Sequence, residues 1–190
     1  MLPRKFRMAL AISGIALLPC VAFAQSMSAS TDPMVGGAAM YPSRNIVQNA
    51  LNSKDHTTLV AAVKAAGLVP VLEGKGPFTV FAPTNEAFAA LPAGTVPSLL
   101  KPENKAELVK ILTYHVVSGS YTEADIENMI QQGGGKAQLK TVEGEMLMFS
   151  NGPDSGLMVM DAKGDAAKVT IGDVIQSNGV IQVIDKVLMP

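Results

Sequence analysis

The stretch Pro77-Phe78-Thr79-Val80-Phe81-Ala82-Pro83-Thr84-Asn85-Glu86-Ala87-Phe88 changes its period within a dozen residues. Residues 77–81 alternate large and small side chains as a buried strand does, since successive side chains leave a strand on opposite faces. Thr84 then stands where a hydroxyl caps the free N–H groups of a short helix carrying Phe88 and Leu91. The local reading is strand, turn, short helix.

Toward the N-terminus, Leu59, Ala62, Val63 and Ala66 recur at i, i+3, i+4, i+7 and Gly67 follows, which predicts a helix over 58–66. A shorter helix is expected over 45–51. Residues 25–43 are rich in Ser, Ala, Gly, Met and Pro without period and read as a flexible arm, so the folded domain is expected over 44–190. Residues 1–24 place Arg4, Lys5 and Arg7 before an apolar run that ends in Ala22-Phe23-Ala24. This is the pattern of a signal peptide, with Gln25 as the first mature residue. Cys20, the single cysteine, follows Pro19, a poor context for lipid attachment; cleavage after Ala24 would remove it, leaving no thiol for a disulfide or a zinc site. Cleavage also leaves 12 basic residues against 16 acidic ones, a balance that attracts neither nucleic acid nor an anionic membrane. The expected location is secreted or periplasmic, with no membrane insertion after cleavage.

Toward the C-terminus, Leu108, Ile111 and Leu112 mark the inward face of a helix over 103–113, which runs directly into Tyr114-His115-Val116-Val117. Thr122-x-x-Asp125 is a capping-box pattern, and Gly133-Gly134-Gly135 closes the helix it opens. From Lys136 the period becomes two, predicting strands at 137–142, 145–150, 157–161, 167–172 and 180–187, with Asn178-Gly179 as a hairpin signal. Helices early and strands late indicate an α+β domain whose sheet is closed by the last strand. No internal repeat is present.

Three segments together carry a resemblance. Residues 79–88, the Tyr114-His115 pair and Asn178-Gly179-Val180-Ile181-Gln182-Val183-Ile184-Asp185-Lys186-Val187-Leu188 resemble, in order and spacing, the first, tyrosine-histidine and second motifs of fasciclin domains, of the single-domain secreted bacterial type. The resemblance covers about 44–190. It implies a compact wedge, a small β-sandwich flanked by several helices, and a role in adhesion to a cell-surface or matrix protein or glycan. Asn85 stands where the family often has an acid and Gln182 where it often has a histidine, so the second motif lacks its usual ionisable group.

Tyr114, His115, Thr84 and Asn85 form the candidate adhesion or structural motif. His115 reads either as a general base or adhesion contact, or as a buried ring hydrogen-bonded to the Thr84-Asn85 turn, since buried polar groups need partners. The family associates the Tyr114-His115 pair with integrin-dependent adhesion in animal proteins; the packing reading buries the Tyr114 ring and satisfies its hydroxyl at the edge. His56, in Ser53-Lys54-Asp55-His56-Thr57, reads as a solvated turn residue. No serine stands in a nucleophile-elbow context, and Gly133-Gly134-Gly135-Lys136-Ala137 lacks the spacing of a phosphate loop. A non-enzymatic protein is expected, with no catalytic residue and no cofactor.

Nine of the eleven methionines follow Ala24, and Met146, Met148, Met158 and Met160 fall two apart on adjacent predicted strands. With Leu147, Phe149, Leu157 and Val159 inward, all four thioethers share the outer face. Soft thioethers select Cu(I), so an exported Cu(I) or small-ligand binding protein is the alternative to adhesion. Adaptable apolar packing against a partner is the other use of such a face.

Overall fold

The structure, a computed structural model, describes residues 32–153 and 156–190. The expected signal peptide, Cys20 and the first part of the arm lie outside the described residues.

Among the described residues the strands are β1 (Met34–Val35), β2 (Ala38–Ala39), β3 (Phe78–Pro83), β4 (Val116–Ser118), β5 (Ala137–Lys140), β6 (Met146–Asn151), β7 (Leu157–Met160), β8 (Ala166–Gln176) and β9 (Gly179–Ile184). The α-helices are α1 (Ile46–Ala50), α2 (Thr57–Ala66), α3 (Val69–Leu72), α4 (Asn85–Ala89), α5 (Thr95–Leu99), α6 (Lys105–Tyr114) and α7 (Glu123–Gln132). Short 3-10 turns at Lys54–His56 and Pro102–Asn104 lead into α2 and α6.

The expected local signals are used. Thr122 accepts from the Asp125 N–H while the Asp125 carboxylate accepts from the Thr122 N–H, closing the capping box of α7. Thr84 caps α4 through the Ala87 N–H. Gly67 ends α2 in the left-handed region at φ 74, where a side chain would be strained.

Seven strands form one sheet in the order β4-β3-β9-β8-β7-β6-β5. Every pairing is antiparallel except β3 with β9, which run parallel from Phe78 beside Gly179 to Pro83 beside Ile184. A bridge between Val117 and Thr141 joins the two ends. The expected sandwich is thus one sheet curled into a near-barrel, its halves facing each other. Gly179 permits the closest approach in it: a Cβ there would lie 2.0 Å from the Phe78 carbonyl oxygen.

The opening stretch forms β3, between β4 and β9 in this sheet, and its alternation separates two cores. Val80 and Ala82 of β3, with Ile181 and Val183 of β9, face the helical layer of α1, α2, α4 and α6. Phe81 and Ile184 face the barrel interior, with Leu147, Phe149, Leu157 and Val159 and with Ile126 and Ile130 of α7. A strand buried on both faces is what parallel pairing demands.

Two expectations are corrected here. The arm is not flexible throughout: β1 and β2 form a small hairpin, and Val35 and Met40 are buried in the helical core, so ordered structure reaches back past residue 44 to the first described residues. Low periodicity concealed it because each buried contact is a single residue. The β8–β9 hairpin pairs Gln176 with Gly179, so its turn is Ser177-Asn178, one residue earlier than the expected Asn178-Gly179. Asn178 is drawn inward by the N–H of Ile46 and the carbonyls of Leu72 and Gly74, which its amide meets at 3.0, 2.7 and 3.0 Å.

Candidate functional site

α6 ends at Tyr114, and His115 is its C-terminal cap. Both residues are enclosed, with exposures of 0% and 2%. The His115 Nδ1–H donates to the Ile111 carbonyl at 2.8 Å, satisfying one of the last free carbonyls of the helix. Its Nε2 accepts from the Leu188 N–H at 3.0 Å. A carbonyl can only accept and an amide N–H can only donate, so these partners fix the neutral, Nδ1-protonated tautomer. Burial pushes the His115 pKa down to about 4, against the opposing pull of the Ile111 carbonyl and of Asp161.

The Tyr114 hydroxyl accepts from the Ala162 N–H at 3.0 Å and donates to the Met146 carbonyl at 3.4 Å. Burial raises its pKa, and Asp161 adds to this against the Ala162 hydrogen bond. Asp161, fully buried, acts through its charge on the titration of both motif residues. Its Oδ1 accepts from the Lys163 and Asp165 N–H groups at 3.0 and 2.9 Å, and its Oδ2 from the Met189 N–H at 3.1 Å. The side chains of Tyr114, His115 and Asp161 therefore hold the β7–β8 turn and the C-terminal segment to the end of α6.

The expected bond from His115 to the Thr84-Asn85 turn does not form. The ring turns back onto its own helix on one side and toward the C-terminal segment on the other, leaving no nitrogen for that turn. Asn85 is engaged elsewhere, between α4 and the start of α2. Its Oδ1 accepts from the Thr58 N–H at 3.0 Å and the Thr57 hydroxyl at 3.2 Å, while its Nδ2 donates to the Lys54 carbonyl at 2.8 Å. An amide fits because it must both donate and accept; a carboxylate would face the Lys54 carbonyl with no proton.

Gln182 likewise works as a connector. Its Oε1 accepts from the Asp173 N–H at 3.1 Å, and its Nε2 donates to the Tyr121 carbonyl at 3.3 Å and to Asp173 Oδ1 at 3.1 Å. Asp173 occupies φ 54 at an irregularity of β8, a conformation that costs a non-glycine residue about 1–2 kcal/mol. The amide of Gln182 holds it there.

His56 is not the solvated turn residue its polar neighbours suggested; it is buried, with 3% exposure. Nδ1 lies 2.9 Å from Ser53 Oγ, and Nε2 makes no hydrogen bond. Burial lowers its pKa, with the Ala82 main chain and Asp55 opposing; Ala82 lies close without completing a hydrogen bond to Nε2. An unmet buried polar group costs about 1–3 kcal/mol. The preceding 3-10 turn rotates the ring under α2, a reorientation that composition does not disclose.

Leu147, Phe149, Leu157 and Val159 point inward as expected, so Met146, Met148, Met158 and Met160 occupy the outer face of β6 and β7. Register opposes Met148 to Met160, while Met158 lies across from Ser150 and Met146 across from Lys140. Only one pair of these methionines is thus directly opposed, and the other two stand one pair of residues away in opposite directions. No group of three or more His, Cys, Asp or Glu able to hold a metal occurs among the described residues.

Comparison with known proteins agrees with this architecture. The family described as the fasciclin domain matches residues 54–190. Protein sll1483 of Synechocystis sp. is 48% identical over 95% of this chain and 93% of its own length. The immunogenic protein MPB70 of Mycobacterium bovis is 33% identical over 91% of each chain. The solved domain pair from the insect cell adhesion molecule Fasciclin I superimposes with a TM-score of 0.70 at 18% identity, over 78% of this chain and 52% of that one. With the family matched over most of its length and its three motifs joined across one curled sheet, this chain belongs to the fasciclin-domain family.

Proposed function

We propose that the chain is an exported, non-enzymatic binding protein that engages a cell-surface or matrix protein or glycan through the outer face of β5–β8. The observation that carries this reading is the row of Met146, Met148, Met158 and Met160 on the outer side of the sheet, opposite the side packed by α7. Lys140 and Lys168 stand across from Met146 and Met158 and add positive charge to an apolar strip. Thioether side chains adapt to varied apolar partners. The adhesion context of the insect structural relative supports the same reading. The Tyr114-His115 pair serves it indirectly, as scaffold. For catalysis, His115 has both ring nitrogens committed to main-chain partners.

The test is binding of the labelled chain to intact cells and to extracellular matrix, compared with a Met148→Glu, Met160→Glu double variant. Loss of binding with unchanged melting is expected; undiminished binding refutes the assignment of the face. The opposed Met148 and Met160 favour a second reading, Cu(I) capture by two thioethers. Competition against a colorimetric Cu(I) chelator under reducing conditions tests it, and a chelator that keeps all its copper at micromolar protein ends it.

A further inference from the structure

The outward positions of β6 and β7 are Met146, Met148, Ser150, Met158 and Met160, while the inward positions Leu147, Phe149, Leu157 and Val159 carry no sulfur. An apolar contact strip needs only bulk, which leucine or valine supplies; a thioether adds a sulfur that peroxides oxidise. In these two strands sulfur is confined to the side that solvent reaches. Met146 is 44% exposed and Met148, Met158 and Met160 are partly buried, whereas Met40 in the helical core is 2% exposed. Register places Met146 directly across from Lys140, whose exposed side chain shares its face. Opposed residues have Cβ atoms about 4.5–5.5 Å apart, within reach of a lysine ammonium. A thioether accepts hydrogen bonds weakly and a sulfoxide oxygen is far more polar, so Lys140 gains a hydrogen-bond partner when Met146 is oxidised.

We infer that the outer methionine row is a reversible oxidation site, led by Met146, that turns this face from apolar to polar while the fold stays intact. The reactant is a peroxide. The sulfur attacks one oxygen of hydrogen peroxide, an S–O bond forms as the O–O bond breaks, and the proton on the transferred oxygen passes to the departing hydroxide, which leaves as water. Sulfur is oxidised by two electrons and the peroxide is reduced by two. The core is spared because Leu147, Phe149, Leu157 and Val159 do the packing on the other side of the strands. The oxidation site stands on exposure and register alone; its consequence, release of an apolar partner, rests on the adhesion reading.

The experiment treats the purified chain with dilute hydrogen peroxide and follows it by peptide mass mapping, thermal melting and retention on a phenyl column. Oxygen is expected to add to Met146 at least roughly tenfold faster than to Met40, as exposures of 44% and 2% imply. The melting midpoint should move by no more than about 2 °C. Elution should come earlier and revert after treatment with methionine sulfoxide reductases for both sulfoxide epimers. Met34, 58% exposed on β1, also reacts, so a Met34→Leu variant should keep the elution shift, and a Met146→Leu, Met148→Leu, Met160→Leu triple variant should lose it. Oxidation of Met40 as fast as Met146, or melting that collapses with oxidation, overturns the site. Elution that does not move or does not revert overturns the switch, and the unaltered chain decides both even if the triple variant does not fold. Binding of the same samples to cells separates the two readings: an untreated chain that does not bind refutes adhesion alone, whereas oxidised and untreated chains that bind equally refute control of binding by oxidation.

Discussion

The Leu188 N–H donates to Nε2 of His115 at 3.0 Å, joining residues 73 apart in sequence. With Met189 on Asp161, this bond fastens the segment after β9 across the end of α6. The histidine therefore holds the segment that follows β9 in place, which is a requirement of the fold before it is one of binding.

Replacing His115 with Leu removes that acceptor while filling similar space. The Leu188 N–H is left buried without a partner, and a loss of about 2–3 kcal/mol is expected in urea unfolding. Amide exchange at Leu188 should accelerate more than exchange in α7. Unchanged stability with lost cell binding would instead place His115 at the partner interface.

Stability should fall as pH falls from about 6.5 toward 4. The folded His115 is held down to about 4 against an ordinary value of 6.5, so within that window the unfolded chain binds the proton and the folded one does not. The contribution is complete above the unfolded value, and about 3 kcal/mol of it is lost by the time the folded value is reached. His56, lowered mainly by burial, acts in the same direction. Glu123, raised by burial and then by Asp173 and Glu127, acts in the opposite direction. Unfolding free energies measured across the window should decline in the native chain and decline less steeply in a His115→Gln variant.

Tyr114→Phe keeps the ring and removes the hydroxyl that accepts from the Ala162 N–H. A cost of about 1–2 kcal/mol is expected, with faster amide exchange at Ala162 as its local signature. Equal exchange in the two proteins would show that Asp161 alone holds the β7–β8 turn.

Gln182→Leu withdraws three hydrogen bonds from a fully buried position and leaves Asp173 at positive φ held through the Glu123 N–H on its Oδ1. About 2–3 kcal/mol should be lost. Adding Asp173→Gly relieves the backbone strain but removes the carboxylate that accepts from the Glu123 N–H at 2.7 Å, so no recovery of the melting temperature is expected.

The sequence made strands and long helices legible where one period persisted. The α2 face at Leu59, Ala62, Val63 and Ala66 and the inward set Leu147, Phe149, Leu157 and Val159 stand where their spacing put them. The short helices α3 and α5 were not legible, because each completes barely one turn and neither has the side-chain cap that marks α1 at Asn45 and α4 at Thr84. Asp161 was missed because its partners are main-chain N–H groups, two of them only two and four residues on, and main-chain donors leave no mark in side-chain identity. The Asp-x-x-Gly turn between two strands is the signal that could have flagged it.

The sequence by itself determined the family, through the order of three motifs between residues 79 and 188, and the α+β class, through helices early and strands late; the two faces of β6 and β7 and the helix caps were set by spacing within about ten residues. Tertiary structure decided what the polar side chains hold. His115 meets Leu188 rather than the Thr84-Asn85 turn, and His56 faces a cavity rather than water. Local period fixes which side of an element a residue occupies, whereas hydrogen-bond partners depend on how distant elements close. Here the parallel β3–β9 pairing, across about a hundred residues, set that closure.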